Sequence, residues 1–208
     1  MSSQPLRVAL TGGIATGKSY CLARFAEAGA PTIDADALAR QAVAPGTSGF
    51  AAVVARFGEA VVAADGGLNR EALGRIVFAD AAARRALEAI IHPAVYAAIE
   101  RWFDGLARTG RATAAIADIP LLYETGREGD FDVVVVAACP RDLQLDRLIT
   151  RNQLTPDDAA RRVDSQMPID DKAARADYVI DTSGSFADTD RQVRQIWSRL
   201  SVGAPRRR

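Results

Sequence analysis

The chain has 208 residues, 49% of them apolar and 25% charged, with 26 basic residues balanced by 26 acidic ones. That length holds one sizeable core with room for an inserted subdomain, and the composition excludes a disordered or fibrous chain. Zero net charge argues against a whole-surface nucleic-acid grip, and the longest apolar run, Val133 to Cys139, is too short to cross a bilayer.

Leu6–Thr11 is an apolar run closed by glycines and predicts a buried strand. From Lys18 to about Ala28, residues Leu22, Phe25 and Ala26 recur at helical spacing, with Gly29 as the stop. Pro31–Asp34 predicts a second strand and Asp36–Val43 a second helix. From about Asn69 to Arg108 the chain reads as helix almost throughout. Within it, Arg84–Ile91 and Pro93–Phe103 carry apolar stripes, and Pro93 suits a first helical turn. Strand signals return at Ala114–Asp118, Phe131–Ala138 and Asp177–Asp181. The unalternating Val133–Val136 fits a parallel strand buried on both faces. Leu143–Arg151 and Thr155–Ser165 predict charged helices, Thr189–Leu200 an amphipathic one, and Gly203–Arg208 a frayed tail. Alternating strands and helices predict a three-layer α/β domain around a central parallel sheet of five strands, filling 1–208. The helical stretch 64–111 and the charged stretch 147–172 interrupt that alternation and read as insertions beside the site.

Cys21 and Cys139 lie far apart without CxxC spacing, which predicts reduced thiols in a cytoplasmic protein. His92 is the single histidine, so a His/Cys zinc cluster has no usual way to form. The N-terminus has no signal-peptide layout.

The run Gly12-Gly13-Ile14-Ala15-Thr16-Gly17-Lys18-Ser19 fits the phosphate-loop pattern GxxxxGK(S/T), after a predicted strand and opening a predicted helix. Its glycines let successive backbone N–H groups turn inward onto phosphate oxygens, and the helix start adds its dipole. Lys18 would neutralise the β- and γ-phosphates, and the Ser19 hydroxyl would bind Mg²⁺. All but two of the 26 basic residues are arginine, so the lysine at 18 stands out. A compact ammonium does what a forked guanidinium cannot. The ATP site is therefore read at Gly13, Ile14, Ala15, Thr16, Gly17, Lys18, Ser19 and Tyr20.

No guanine-reading NKxD is present. A small domain with arginine-rich insertions points to a kinase acting on a small molecule, with a lid that excludes water. Two alternatives are another small-molecule or nucleoside-monophosphate kinase, and a switch or assembly protein that hydrolyses ATP slowly.

Several segments, in order, resemble the dephospho-CoA kinase family. They are Thr11–Ile14 into the loop, Ile33-Asp34-Ala35-Asp36 with Ala39-Arg40, Ile91-His92-Pro93, and Pro120-Leu121-Leu122-Tyr123-Glu124. Further on come Gln144 with Arg147 and Arg151, Ser165–Pro168 through Lys172, and Ala176–Asp181. The resemblance spans about residues 8 to 184. Departures are Ala15 and Thr16, where the family commonly has Gly and Ser, Tyr20 in place of a second hydroxyl, and Thr182 where Asn is frequent.

The resemblance implies transfer of the ATP γ-phosphoryl to the 3′-hydroxyl of dephospho-CoA, the last step of coenzyme A synthesis. It also implies a P-loop core, a helical substrate-binding region at 64–111 and a lid at 147–172. ATP and Mg²⁺ are the expected co-substrate and cofactor. Dephospho-CoA is the expected partner, with no nucleic acid, membrane or obligate protein partner. Asp36 resembles the family's base for the acceptor hydroxyl, although Asp at that position also suits a helix N-cap. Asp34 is expected to orient the site or reach the metal through water. Asp118 ends a strand, either as a Walker-B-like residue reaching Mg²⁺ through water or as a polar strand end. Arg147 and Arg151, four apart on one helical face, either clamp phosphates or pair with Asp142 and Asp146. Asp34, Arg40, His92, Leu122, Glu124 and Arg151 are expected to bind substrate.

Overall fold

The computed structural model describes residues 4–110 and 112–202, so the expected frayed tail lies outside the described residues. From the N-terminus, β1 (Leu6–Gly12) leads into α1 (Lys18–Glu27) and then β2 (Thr32–Asp34). Four helices follow: α2 (Ala35–Ala42), α3 (Ser48–Phe57), α4 (Arg70–Ala79) and α5 (Ala81–Thr109). β3 (Ala114–Asp118) and β4 (Val133–Ala138) return the chain to the sheet. Then come α6 (Arg141–Asn152), α7 (Pro156–Asp164), α8 (Ile169–Ala174), β5 (Tyr178–Asp181) and α9 (Phe186–Ser201). Residues up to Ile33 and from Phe103 onward form one compact unit, and Asp34–Trp102 form a second.

The sheet has five strands in the order β2-β3-β1-β4-β5, parallel as expected. Leu10 pairs with Asp118 on one side and Val135 on the other, and Ala138 pairs with Asp181. β1, β3, β4 and β5 therefore finish along one sheet edge, where crossover connections leave binding groups in such folds. One face buries Leu6, Val8 and Leu10 with Cys21 and Phe25 of α1 and Val193, Ile196 and Leu200 of α9. Each fully buried side chain of this size contributes about 1.5–3 kcal/mol. On the other face of β1, the Arg7 guanidinium sits 4.7 Å from the Phe103 ring centre and 5.7 Å from that of Phe131. Val133–Val136 are all buried, which is why that run shows no alternation.

The second unit has its own small core of Val43, Val53, Val61 and Leu73, packed by Phe57, Leu68, Ile76, Leu87, Ile90 and Ile91. It is wider than the 64–111 stretch because Val43 and Val53, from ahead of that stretch, share this core. Side-chain caps start its helices: Asp34 for α2, Thr47 for α3 and Asn69 for α4.

Pro93 corrects one expectation, because it lies inside the 29-residue α5 rather than in a first turn. A proline there gives up the N–H that would bond the Ala89 carbonyl, at a cost of about 3 kcal/mol. Packing on both sides offsets that loss, with Leu87, Ile90 and Ile91 before it and buried Val95 and Ile99 after it. α3 and α8 go beyond the predicted elements. α3 forms despite Gly49 and two adjacent valines, residues of weak helix propensity, because Val53 is fully buried.

Candidate active site

The loop between β1 and α1 runs close against its neighbours at its glycines. A Cβ on Gly12 would come 2.6 Å from the Ala137 carbonyl oxygen, and one on Gly13 would come 2.5 Å from Gln144 Nε2. Gly17, the N-cap of α1, has φ 81°, a left-handed conformation that suits glycine. No side chain caps α1, so its first N–H groups remain available to an anion. Ala15 also sits in the left-handed region, at φ 59°.

Neighbouring elements brace this loop. Thr16 is fully buried, and its hydroxyl donates to the Gly13 carbonyl at 2.8 Å. The Thr182 hydroxyl, just beyond β5, donates to the Thr16 carbonyl at 2.6 Å. Gln144 of α6 donates to the Ile14 carbonyl at 2.7 Å, and the Ile14 N–H donates to Gln166 at 2.7 Å. Ile14, expected to offer its N–H to phosphate, gives it to Gln166 in this conformation.

Lys18 forms an ion pair with Asp118, which is 3% exposed at the end of β3. The register that sets Leu10 opposite Asp118 brings this carboxylate to the loop. Ser19, the next residue of α1, is exposed.

Beside the loop lies a cavity of about 780 Å³, lined in part by Ala15, Gly17, Tyr20, Arg147, Arg151 and Phe186. Arg147 reaches it from α6 and is firmly held. It donates to the Thr182 carbonyl at 2.7 Å and to the Ala15 carbonyl at 3.4 Å. Arg151 bonds the Asn152 side chain at 2.9 Å and also faces the cavity. Among the described residues, neither arginine forms an ion pair with Asp142 or Asp146.

After β3, Leu122 is fully buried, so it packs the segment from within rather than presenting a surface to substrate. Glu124 accepts from the Met167 N–H at 3.0 Å and pairs with Lys172 at 2.8 Å. No motif in the sequence gives Lys172 a role. It is fully buried, and its ammonium also donates to the Gly12 and Pro120 carbonyls, each at 3.3 Å. The lysine scarcity that singles out Lys18 points equally to Lys172. Gln166 and Thr182 carried no such compositional signal.

Within the second unit, Asp34 Oδ1 accepts from the Asp36 N–H at 2.7 Å and the Ala37 N–H at 3.2 Å. The N-cap is thus Asp34, and Asp36 is left in the first turn with its carboxylate uncommitted to capping. Arg40 lies 3.9 Å from Asp34. Asp36, Arg40 and Arg70 share a cavity of about 310 Å³ with Leu73, Leu87 and Ile91. His92 lies outside that lining, its ring 5.5 Å from Tyr96 within α5.

Comparison with known proteins decides among the kinases that share such a loop. The profile of the dephospho-CoA kinase family matches residues 6–188. The chain belongs to the dephospho-CoA kinase family. A dephospho-CoA kinase of Symbiobacterium thermophilum is 48% identical over 190 residues, covering 91% of this chain and 79% of that one. A solved structure from Thermus thermophilus superposes on the kinase with a TM-score of 0.81 at 33% identity, covering 95% of this chain and 99% of that one. The dephospho-CoA kinase of Campylobacter jejuni gives 0.72 at 28% identity, covering 95% and 98%. Among the described residues, no helix of the kinase is long and apolar enough to cross a membrane.

Proposed function

We propose that this kinase transfers the γ-phosphoryl group of ATP to the 3′-hydroxyl of dephospho-CoA, giving coenzyme A and ADP. The observation that carries this reading is a family match over residues 6–188 that includes a complete, braced phosphate loop. In the reaction the acceptor oxygen bonds to the γ-phosphorus while the bond to the β–γ bridging oxygen breaks. The hydroxyl proton leaves toward a base.

Phosphoryl transfer asks a protein mainly for positioning and charge neutralisation. Lys18 leaves Asp118 to meet the β- and γ-phosphates. Arg147, fixed by its bonds to Ala15 and Thr182, supports charge on the transferring group. Asp36 orients the acceptor hydroxyl and takes its proton, and Asp34 holds the first turn of α2 that carries Asp36. Glu124, Arg40 and His92 serve acceptor binding, with the helical unit as its platform. The segment 147–172 acts as the lid.

Ser19 and Asp118 offer a hydroxyl and a carboxylate, hard oxygen donors that suit Mg²⁺. Among the described residues there is no cluster of three or more His, Cys, Asp or Glu that would hold a metal by itself. When bound, Mg²⁺ would supply charge neutralisation on the phosphates. Free, buried Cys21 and Cys139 support a cytoplasmic location.

Incubation with Mg²⁺/ATP and dephospho-CoA tests the reading through the product. The expected product has gained one phosphate, and its ³¹P spectrum places that phosphate on the 3′-oxygen. A phosphate at another position, or none, overturns it.

A further inference from the structure

Ile14 is gripped by a glutamine on each side of its backbone. Gln144 Nε2 donates to its carbonyl at 2.7 Å, and its N–H donates to Gln166 Oε1 at 2.7 Å. An N–H can be met only by the oxygen end of an amide, so this bond fixes the orientation of the Gln166 amide and leaves its two N–H donors for another acceptor. Among the described residues no acceptor meets Gln166 Nε2. The backbone that carries Gln166 is itself tied down. Its N–H donates to the Val163 carbonyl at 3.2 Å, and the Met167 N–H donates to Glu124 at 3.0 Å. Glu124 follows shortly after Asp118, the partner of Lys18, and the loop pattern assigns that lysine to the β- and γ-phosphates. The 780 Å³ cavity is lined by Ala15 and Gly17 but, among the described residues, by neither Ile14 nor Gln166.

We propose that Gln166 is a catalytic residue whose amide N–H donates to the γ-phosphoryl group of the bound triphosphate. This rests on the kinase reading above and adds a group to its machinery. The loop gives up the Ile14 N–H and gains in exchange a donor carried by the 147–172 segment. An amide whose oxygen already accepts a hydrogen bond is polarised, which strengthens it as a donor. The donor is in place only while that segment lies against the loop, so closure completes the site as it excludes water.

Calorimetry on the full chain with Mg²⁺ and without acceptor compares ADP with the non-hydrolysable β,γ-imido analogue of ATP, in the wild type and in Gln166→Met. The variant is expected to bind the analogue about tenfold more weakly, the low end for one hydrogen bond to a charged group. It should bind ADP as the wild type does, which also shows that the loop is still formed. Gln166→Glu restores an acceptor for the Ile14 N–H without the donor, and should stay as weak toward the analogue as Gln166→Met. Equal weakening for ADP and the analogue, no weakening, or recovery in Gln166→Glu overturns the donor role. Because no acceptor is present, the outcome separates from the acceptor assignment. A loss confined to the analogue without dephospho-CoA turnover in the wild type sinks that assignment alone, and full turnover with unaltered affinity for the analogue sinks the donor alone.

Discussion

The Lys172 ammonium lies 2.8 Å from the Glu124 carboxylate with no exposed surface of its own, while Glu124 retains 21%. Through the Gly12 and Pro120 carbonyls the same ammonium ties the end of β1 to the segment after β3. Breaking a buried pair leaves an uncompensated charge, and the partial exposure of Glu124 puts the cost toward the low end. Lys172→Met is expected to lose about 3 kcal/mol of stability. Glu124→Gln leaves the fully buried Lys172 ammonium without its counter-charge and should lose more. Urea unfolding of the two variants checks the order, and wild-type stability in both would show that the ion pair contributes nothing.

Asp118 holds the Lys18 ammonium in this structure, so a phosphate competes with that carboxylate for it. Asp118→Asn should therefore tighten ATP binding in the presence of EDTA, where the carboxylate competes for the lysine. With Mg²⁺ present, the same variant should lose about a hundredfold in kcat, the scale of one electrostatic group at the transition state. Calorimetry with and without EDTA, beside steady-state rates, reads both effects.

For Asp36 the expected signature is a split between binding and turnover. Asp36→Asn should lower kcat by about a hundredfold, within the range of general acid–base groups, while the KM for ATP stays put. Turnover at the wild-type rate would remove Asp36 from its assigned role.

Ala15 holds φ 59°, a conformation that costs a residue with a Cβ roughly 1–2 kcal/mol. Glycine adopts it freely but loses more chain entropy on folding. The balance predicts a gain of about 0.5–1 kcal/mol for Ala15→Gly, a rise of about 2–4 °C per kcal/mol in a chain of this size. A lower melting temperature would contradict it.

Burial pushes the Cys21 thiol from an ordinary value of 9.0 up to about 12. Above pH 9 the unfolded thiol ionises while the folded one remains protonated, so its contribution is whole below pH 9 and falls away toward pH 12. From pH 8 to pH 10 the wild type should lose about 1.4 kcal/mol more stability than Cys21→Ala. Parallel pH slopes for the two proteins would contradict this.

Much of this arrangement is legible along the chain because its signals are local. The phosphate loop declares itself within eight residues, and the period change from β1 to α1 falls where the motif requires it. Asp118 is readable as a strand end, but its pairing with Lys18 follows from sheet register rather than from any neighbour in sequence. Lys172 meets Gly12 across 160 positions, so composition can flag it but cannot name its acceptors. Gln166 braces Ile14 by the same kind of long-range contact, and it removes an N–H that the motif reading assigns to phosphate. Pro93 and α3 escape sequence reading for a different reason, since burial there outweighs local propensity. Leu122 matches its family motif and is fully buried, so a motif position does not establish contact with a ligand.

The central claim is the acceptor. ADP release from Mg²⁺/ATP, measured with dephospho-CoA, AMP and adenosine in parallel and with Lys18→Ala as control, tests it most directly. Turnover with dephospho-CoA alone, abolished in the variant, is the predicted result. Turnover with AMP or adenosine instead, or none with dephospho-CoA while ATP still binds, would contradict it.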